Sequence, residues 1–228
     1  MMDSTVLLTL FQQLGVVSNG HFVLSSGRHS DEYWEKFRLL EWPRVTEQLC
    51  QQIAVRYRVG ALSAVIGPTT GGALLAQEVA RQLDTRCLLA EPSSGGGREL
   101  RRGFKLNASA PVLIVDDVLT TGLSLRETLS AVEPYQPDIA GIEVLIDRSG
   151  GTVPRQFSVP CRALRRITPA SDPFYDRPNL TRPQTHKNRG VVPPAVGSSS
   201  KRFDVDATAA RASTTLSRRS LQSASGVA

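Results

Sequence analysis

Along the first 168 residues, apolar positions recur with two alternating patterns, one suited to helices and one to buried strands. From Pro43, a favoured first helical residue, Val45, Leu49, Ile53 and Tyr57 follow at intervals of four and mark the apolar stripe of a helix over 43–57. Ala61–Ile66 is a short, mostly apolar run closed by Gly67-Pro68, the pattern of a buried strand entering a loop. Gly71–Leu83 turns Ala76, Val79, Ala80 and Leu83 to one side and predicts a second helix. Strands are predicted at Arg86–Ala90, Pro111–Val115 and Ile139–Ile146, with a helix marked by Leu125, Thr128, Leu129 and Val132 between the last two. Strands separated by helices of about a dozen residues imply the α/β class, with parallel pairing, right-handed crossovers and a doubly wound sheet. Such a sheet binds its ligands at the carboxyl ends of its strands.

Two stretches depart from this rhythm. Glu91–Gly103 contains Ser93-Ser94-Gly95-Gly96-Gly97 and is dense in Arg, so it reads as a mobile loop rather than a core element. Beyond about Thr168 the chain is rich in Pro, Ser, Thr, Ala and Arg, has few large apolar residues and contains runs such as Ser198-Ser199-Ser200. The expected organisation is therefore one domain over 1–168 and a disordered tail over 169–228.

Charge changes the picture only after it is apportioned. Of the net +6, seven Arg and two Lys against four Asp from Pro169 onward supply +5, which leaves the first 168 residues at +1. The basic balance belongs to the tail, and the folded part carries no general attraction for nucleic acid. Neither a basic start followed by a cleavage site nor a run of roughly 18 apolar residues is present, so the expectation is a cytoplasmic protein without a membrane span. Cys50, Cys87 and Cys161 are far apart and lack metal-ligand spacing, which predicts buried reduced thiols.

The chemistry concentrates in Val112-Leu113-Ile114-Val115-Asp116-Asp117-Val118-Leu119-Thr120-Thr121-Gly122-Leu123-Ser124. Four apolar residues form a buried strand that delivers two adjacent acids to the carboxyl edge of the sheet. Thr120, Thr121, Gly122, Leu123 and Ser124 then supply backbone N–H groups, hydroxyls and a helix N-terminus, which together favour a bound phosphate. Gly122 permits close backbone approach. Paired carboxylates beside a phosphate cradle suit a sugar that carries vicinal hydroxyls and a phosphate. A Rossmann dinucleotide site would need Gly-x-Gly-x-x-Gly, which is absent.

This string resembles the signature of the type I phosphoribosyltransferases, and residues 1–167 as a whole are similar to the orotate phosphoribosyltransferase family. Gly20–Ser30, with Ser25-Ser26-Gly27-Arg28-His29-Ser30, is similar to that family's N-terminal hairpin. Ile66–Gly72 looks like its pyrophosphate loop, Glu91–Gly103 like its flexible loop, and Ile146-Asp147-Arg148 like the place where its arginine meets the orotate carboxylate. The resemblance implies a parallel sheet flanked by helices, with a small N-terminal hood and a mobile active-site loop. It also implies transfer of the phosphoribosyl group of 5-phosphoribosyl 1-diphosphate (PRPP) to orotate with Mg²⁺, by a homodimer.

Carried onto this chain, the resemblance implies that Asp116 and Asp117 engage the ribose hydroxyls, directly or through Mg²⁺. Val118–Ser124 would hold the donor, with Thr120–Ser124 on its 5-phosphate, and Thr70 and Gly71 would contribute on the pyrophosphate side. Thr120, Arg148 and Tyr33 would meet orotate, although Tyr33 and Trp34 alike fit either a place near the base or the core. Arg101 and Arg102 would close onto pyrophosphate, in their own subunit's site or a neighbour's, and with Asp117 carry the catalysis; His29 reads as a hairpin residue. Ser25 and Thr70 stand where many members have lysine. A transferase for another nucleobase, or a regulator that senses PRPP and binds a partner through its basic tail, are the alternatives.

Overall fold

The computed structural model describes the backbone of residues 11–23 and 29–167, and the side chains within those ranges apart from 19–33. The hairpin turn around Ser25, the side chains of His29 and Tyr33, and the tail over 169–228 lie outside the described residues. Six strands form the main sheet: β3 (Ala64–Pro68), β4 (Arg86–Pro92), β5 (Arg98–Leu100), β6 (Pro111–Leu119), β7 (Asp138–Asp147) and β8 (Cys161–Arg166). Their spatial order is β5-β4-β3-β6-β7-β8, and every pairing is parallel except β4 with β5.

The sequence places β6 at the centre because its side chains are apolar on both faces. Val112 and Ile114 pack with Leu88, Leu125 and Val132, whereas Leu113 and Val115 pack with Val45, Leu49, Leu75 and Val79. All four residues of Val112–Val115 have 0% exposure, and full burial of an aliphatic side chain contributes about 1.5–3 kcal/mol. Four helices are numbered in chain order: α1 (Phe37–Leu40), α2 (Pro43–Ala54), α3 (Gly71–Gln82) and α4 (Leu123–Val132). α2 and α3 cover one face of the sheet and α4 the other. The predicted stripe of α2 holds for Val45, Leu49 and Ile53, but Tyr57 lies past the helix end, where its hydroxyl donates to Glu143 Oε1 at 3.1 Å.

The chain runs outward from β3 to β4 on one side and from β6 to β7 on the other, so the strand order reverses between β3 and β6. Loops leaving the carboxyl ends of these two neighbours diverge and open a crevice between them. One stretch differs from its expectation. Glu91–Gly103 is not a loop throughout: Pro92↔Arg98, Glu91↔Glu99 and Ala90↔Leu100 pair as a hairpin, and Gly96 and Gly97 supply the positive φ of its turn. Irregular chain follows over 101–110.

A separate antiparallel hairpin, β1 (Val17–Val23) with β2 (His29–Trp34), forms the hood. It is tied to the body where Trp34 meets Phe11 edge to face, ring centres 5.8 Å apart, and where the Glu35 amide donates to the Val16 carbonyl at 2.8 Å. Trp34, 9% exposed, is thus a core residue, and the chain leaving it brings Lys36 over the carboxyl edge of the sheet.

Candidate active site

The crevice between β3 and β6 holds a cavity of about 110 Å³. Its floor is Asp116 and Asp117 at the end of β6, 5% and 3% exposed. Its walls are Pro68–Gly71 from the β3 loop, Val118, Ser124 at the start of α4, and two cations, Lys36 and Arg98.

Each acid is held by its own set of donors. Asp116 Oδ2 accepts from Ser124 Oγ at 2.5 Å, and Oδ1 accepts from the Asp117 amide at 2.9 Å. Asp117 Oδ1 accepts from the Val118 amide at 2.6 Å and from Lys36 Nζ at 3.0 Å. The same ammonium stands 2.8 Å from Oδ2, an ion contact outside hydrogen-bonding geometry. Burial first, and then the charge of Asp117, push the Asp116 carboxyl up from 3.8 to about 6, against the lowering effect of Ser124, the Asp117 amide and Lys36.

That shift has a measurable consequence. Asp116 holds its proton more tightly in the folded chain than in the unfolded one, so its contribution to stability is full below pH 3.8 and is lost as pH rises through about 6. The wild type should lose stability across this window, and Asp116→Asn should flatten that part of the profile. Urea unfolding at about pH 4 and about pH 7 checks this, and equal slopes in the two proteins would contradict it.

The glycines of the β3 loop are required by the acids beneath them. A Cβ on Gly71 would stand 1.6 Å from Asp117 Oδ2, and one on Gly72 would stand 2.9 Å from Asp116 Oδ1. Gly67 is closed in as tightly, 2.1 Å from the Gly72 carbonyl oxygen. Thr70, exposed, precedes α3, and the Thr69–Thr70 peptide is cis. On the far side, Gly122 caps α4 with φ +78°, so the chain turns from β6 into the helix with the Leu123 amide 3.4 Å from Thr121 Oγ1. Thr120, Thr121 and Leu123 are exposed there, and Leu119 is buried beneath them. Backbone amides presented at a helix N-terminus attract an anion.

Arg148 follows β7 directly, beside this turn, and its amide donates to the Leu119 carbonyl at 2.8 Å. Asp147, fully buried, fixes the corner by accepting from the Ser149 amide and hydroxyl at 2.8 and 2.6 Å and from Arg166 Nε at 3.1 Å. Tyr33 lies opposite Ser18 in the hood.

The predicted loop arginines are placed elsewhere. Arg101 contacts Glu99 at 2.6 Å, and Arg102 meets Glu91 through two hydrogen bonds at 2.5 and 3.1 Å; neither arginine lines the cavity. Arg98 does. Its Nη1 donates to the Ala90 carbonyl at 2.9 Å and to the Thr69 carbonyl at 3.3 Å, and its Nε is 3.4 Å from Glu127. Lys36 and Arg98 are the two site residues that sequence reasoning missed. Arg98 was within reach as the arginine that follows the triple glycine, whereas Lys36 had no local signal.

A model of the phosphoribosyl transferase domain matches residues 44–162. Orotate phosphoribosyltransferase of Thermoanaerobacter sp. (strain X514) is 37% identical over 163 residues, 72% of this chain and 84% of that one. The chain belongs to the orotate phosphoribosyltransferase family. The orotate phosphoribosyltransferase of Pelotomaculum thermopropionicum is 44% identical over 147 residues, 64% of this chain and 77% of that one. Among solved structures, orotate phosphoribosyltransferase from Aeropyrum pernix superposes with a TM-score of 0.60 at 28% identity, covering 71% of this chain and 93% of that one. Adenine phosphoribosyltransferase from Rhodothermus marinus reaches 0.59 at 18% identity, over 72% and 100% of the two chains, so the shared fold does not by itself select the base. As a member of the family the chain is a phosphoribosyl-transferring enzyme, and no helix among its described residues is long and apolar enough to cross a membrane.

Proposed function

We propose that this enzyme transfers the 5-phosphoribosyl group of PRPP to orotate, giving orotidine 5′-monophosphate and pyrophosphate in pyrimidine nucleotide synthesis. The observation that carries the reading is the buried Asp116–Asp117 pair set between the β3 loop and the amide turn of α4, at the point where the strand order reverses. One side of that pair suits a 5-phosphate, the other a diphosphate, and the acids suit the ribose hydroxyls between them.

In this reading Thr120–Ser124 hold the 5-phosphate, and Asp116 and Asp117 accept hydrogen bonds from the two ribose hydroxyls. Thr70 and Gly71 offer backbone to the diphosphate, and Arg98 adds a cation from beside Thr69. Arg148 and Thr120 meet orotate, Arg148 as a planar partner for its carboxylate, with Tyr33 nearby in the hood. Departure of pyrophosphate builds positive charge on the ribose and negative charge on the leaving oxygen. Fixed cations and amides aimed at the second charge lower the barrier, and no side-chain nucleophile is required. Arg101 and Arg102 add to this when the irregular segment over 101–110 closes, in this subunit or across a homodimer boundary. Both arginines are themselves exposed, with side chains 47% and 66% accessible, and ion pairs made by solvent-exposed arginines exchange readily.

Phosphoribosyltransferases generally use Mg²⁺ with PRPP. No group of three or more His, Cys, Asp or Glu side chains that could hold a metal occurs among the described residues. Asp116 and Asp117 alone underfill the six oxygens that Mg²⁺ needs, so they fit an ion that arrives already bound to the donor's oxygens. When bound, it offsets the charge of the diphosphate.

The test is a panel of bases offered with PRPP and Mg²⁺. Orotate should be consumed, while adenine, hypoxanthine and uracil should not; turnover of another base in its place would overturn the acceptor and keep the class. Arg148→Met should raise KM for orotate about 10- to 150-fold, the worth of one hydrogen bond to a charged group, and leave KM for PRPP near wild type.

A further inference from the structure

The cation that the cavity sets on its own acids comes from the hood and not from the sheet. Lys36 lies between β2 and α1, yet its ammonium reaches both oxygens of Asp117, 81 residues away. The lysine side chain is 37% exposed and the carboxylate 4%. The pair is thus buried at the acid and open to solvent at the base. Arg98, the other cation of the cavity, is committed to Glu127, Ala90 and Thr69 and does not touch the acids. Among the described residues Lys36 is therefore the cation set directly on the acid pair, and its contact is to the nearly inaccessible Asp117. A lysine suits an exchangeable role better than an arginine fork would, because a compact ammonium on a four-carbon stem can change partners without losing a paired geometry.

The ribose hydroxyls, or a divalent ion brought by the donor, need the same Asp117 oxygens that Lys36 covers. We propose that Lys36 is a displaceable counter-ion: it neutralises Asp117 in the free site, yields that carboxylate to the arriving donor, and turns its ammonium to the donor's phosphate oxygens. The inference rests on the donor-site reading above. It keeps the buried Asp117 carboxylate ion-paired or hydrogen-bonded throughout, since an uncompensated buried carboxylate is strongly unfavourable. It also gives the free enzyme low affinity for divalent ions alone, because one carboxylate of the pair is already occupied by a cation.

Two titrations with opposite expected signs test it on the whole chain. Mn²⁺ binding without PRPP, read by electron paramagnetic resonance, should be at least about tenfold tighter in Lys36→Met, because an adjacent cation lowers a carboxylate's affinity for a proton by about 1 to 3 log units and opposes a divalent ion in the same direction. PRPP binding with Mg²⁺, read by calorimetry, should be at least about tenfold weaker in the same variant, and Lys36→Arg should return the Mn²⁺ affinity to near wild type. A variant damaged in its fold would weaken both ligands, and Lys36→Gln, with unfolding midpoints alongside, provides a second substitution. Unchanged or weaker Mn²⁺ binding in both neutral variants, or shifts of the same sign for both ligands, would overturn the proposal. Failure of the wild type to bind PRPP would instead overturn the donor-site reading, and the Mn²⁺ comparison would still report on Lys36.

Discussion

Replacing both acids, Asp116→Asn with Asp117→Asn, is expected to lower kcat/KM for PRPP by about 10²- to 10⁴-fold, since each lost hydrogen bond to a charged group is worth about 1.5–3 kcal/mol. The chain should remain folded. Asp116 is held above its ordinary range by burial and by its neighbour, so removing the two charges relieves repulsion as well as removing acceptors. The Ser124 hydroxyl, which now donates to Asp116, can turn and accept from an amide. Lys36, left without its partner, is exposed enough to be hydrated. Steady-state kinetics with PRPP varied, together with urea unfolding, separate these effects. Normal kinetics in the double variant would refute the role assigned to the pair.

Gly71→Ala should approach the same loss without removing any functional group. Its Cβ would stand 1.6 Å from Asp117 Oδ2 and 2.7 Å from Cγ, so either the carboxylate or the β3 loop must shift. Displacement of a positioning group by about 1 Å can cost about 100-fold in rate, and the expected fall in kcat/KM is at least of that order. Gly95→Ala is the control: a Cβ there meets nothing within 4 Å, and its activity should stay near wild type. Equal activities of the two variants would show that the loop does not need to lie against the acids.

The difference between what the sequence shows and what it hides follows from range. Val112–Val115 is legible because four successive apolar residues ending in two acids suit little other than a central strand delivering charge to its edge. Gly122 and Ser124 are legible because a cap and a helix start are local events. Arg98 is hidden because β5 has three residues, too few for any period, and follows a run of glycines that reads as loop. β8 is obscured in the same way, its Arg162, Arg165 and Arg166 masking an edge strand. Lys36 is hidden because its contact spans 81 residues and depends on where the hood hairpin delivers the chain. Arg101 and Arg102 show the converse: their residue types suit an anion site, but acids two and eleven residues away along the same hairpin hold them first.

The central claim is that this cavity joins a phosphoribosyl donor to orotate. Mixing the protein with PRPP, Mg²⁺ and orotate, and following orotate absorbance and released pyrophosphate together, tests it most directly. Loss of orotate matched one for one by pyrophosphate, abolished in the Asp116→Asn, Asp117→Asn variant, is the predicted result. Pyrophosphate release that proceeds equally without orotate, or no release at all, would contradict it.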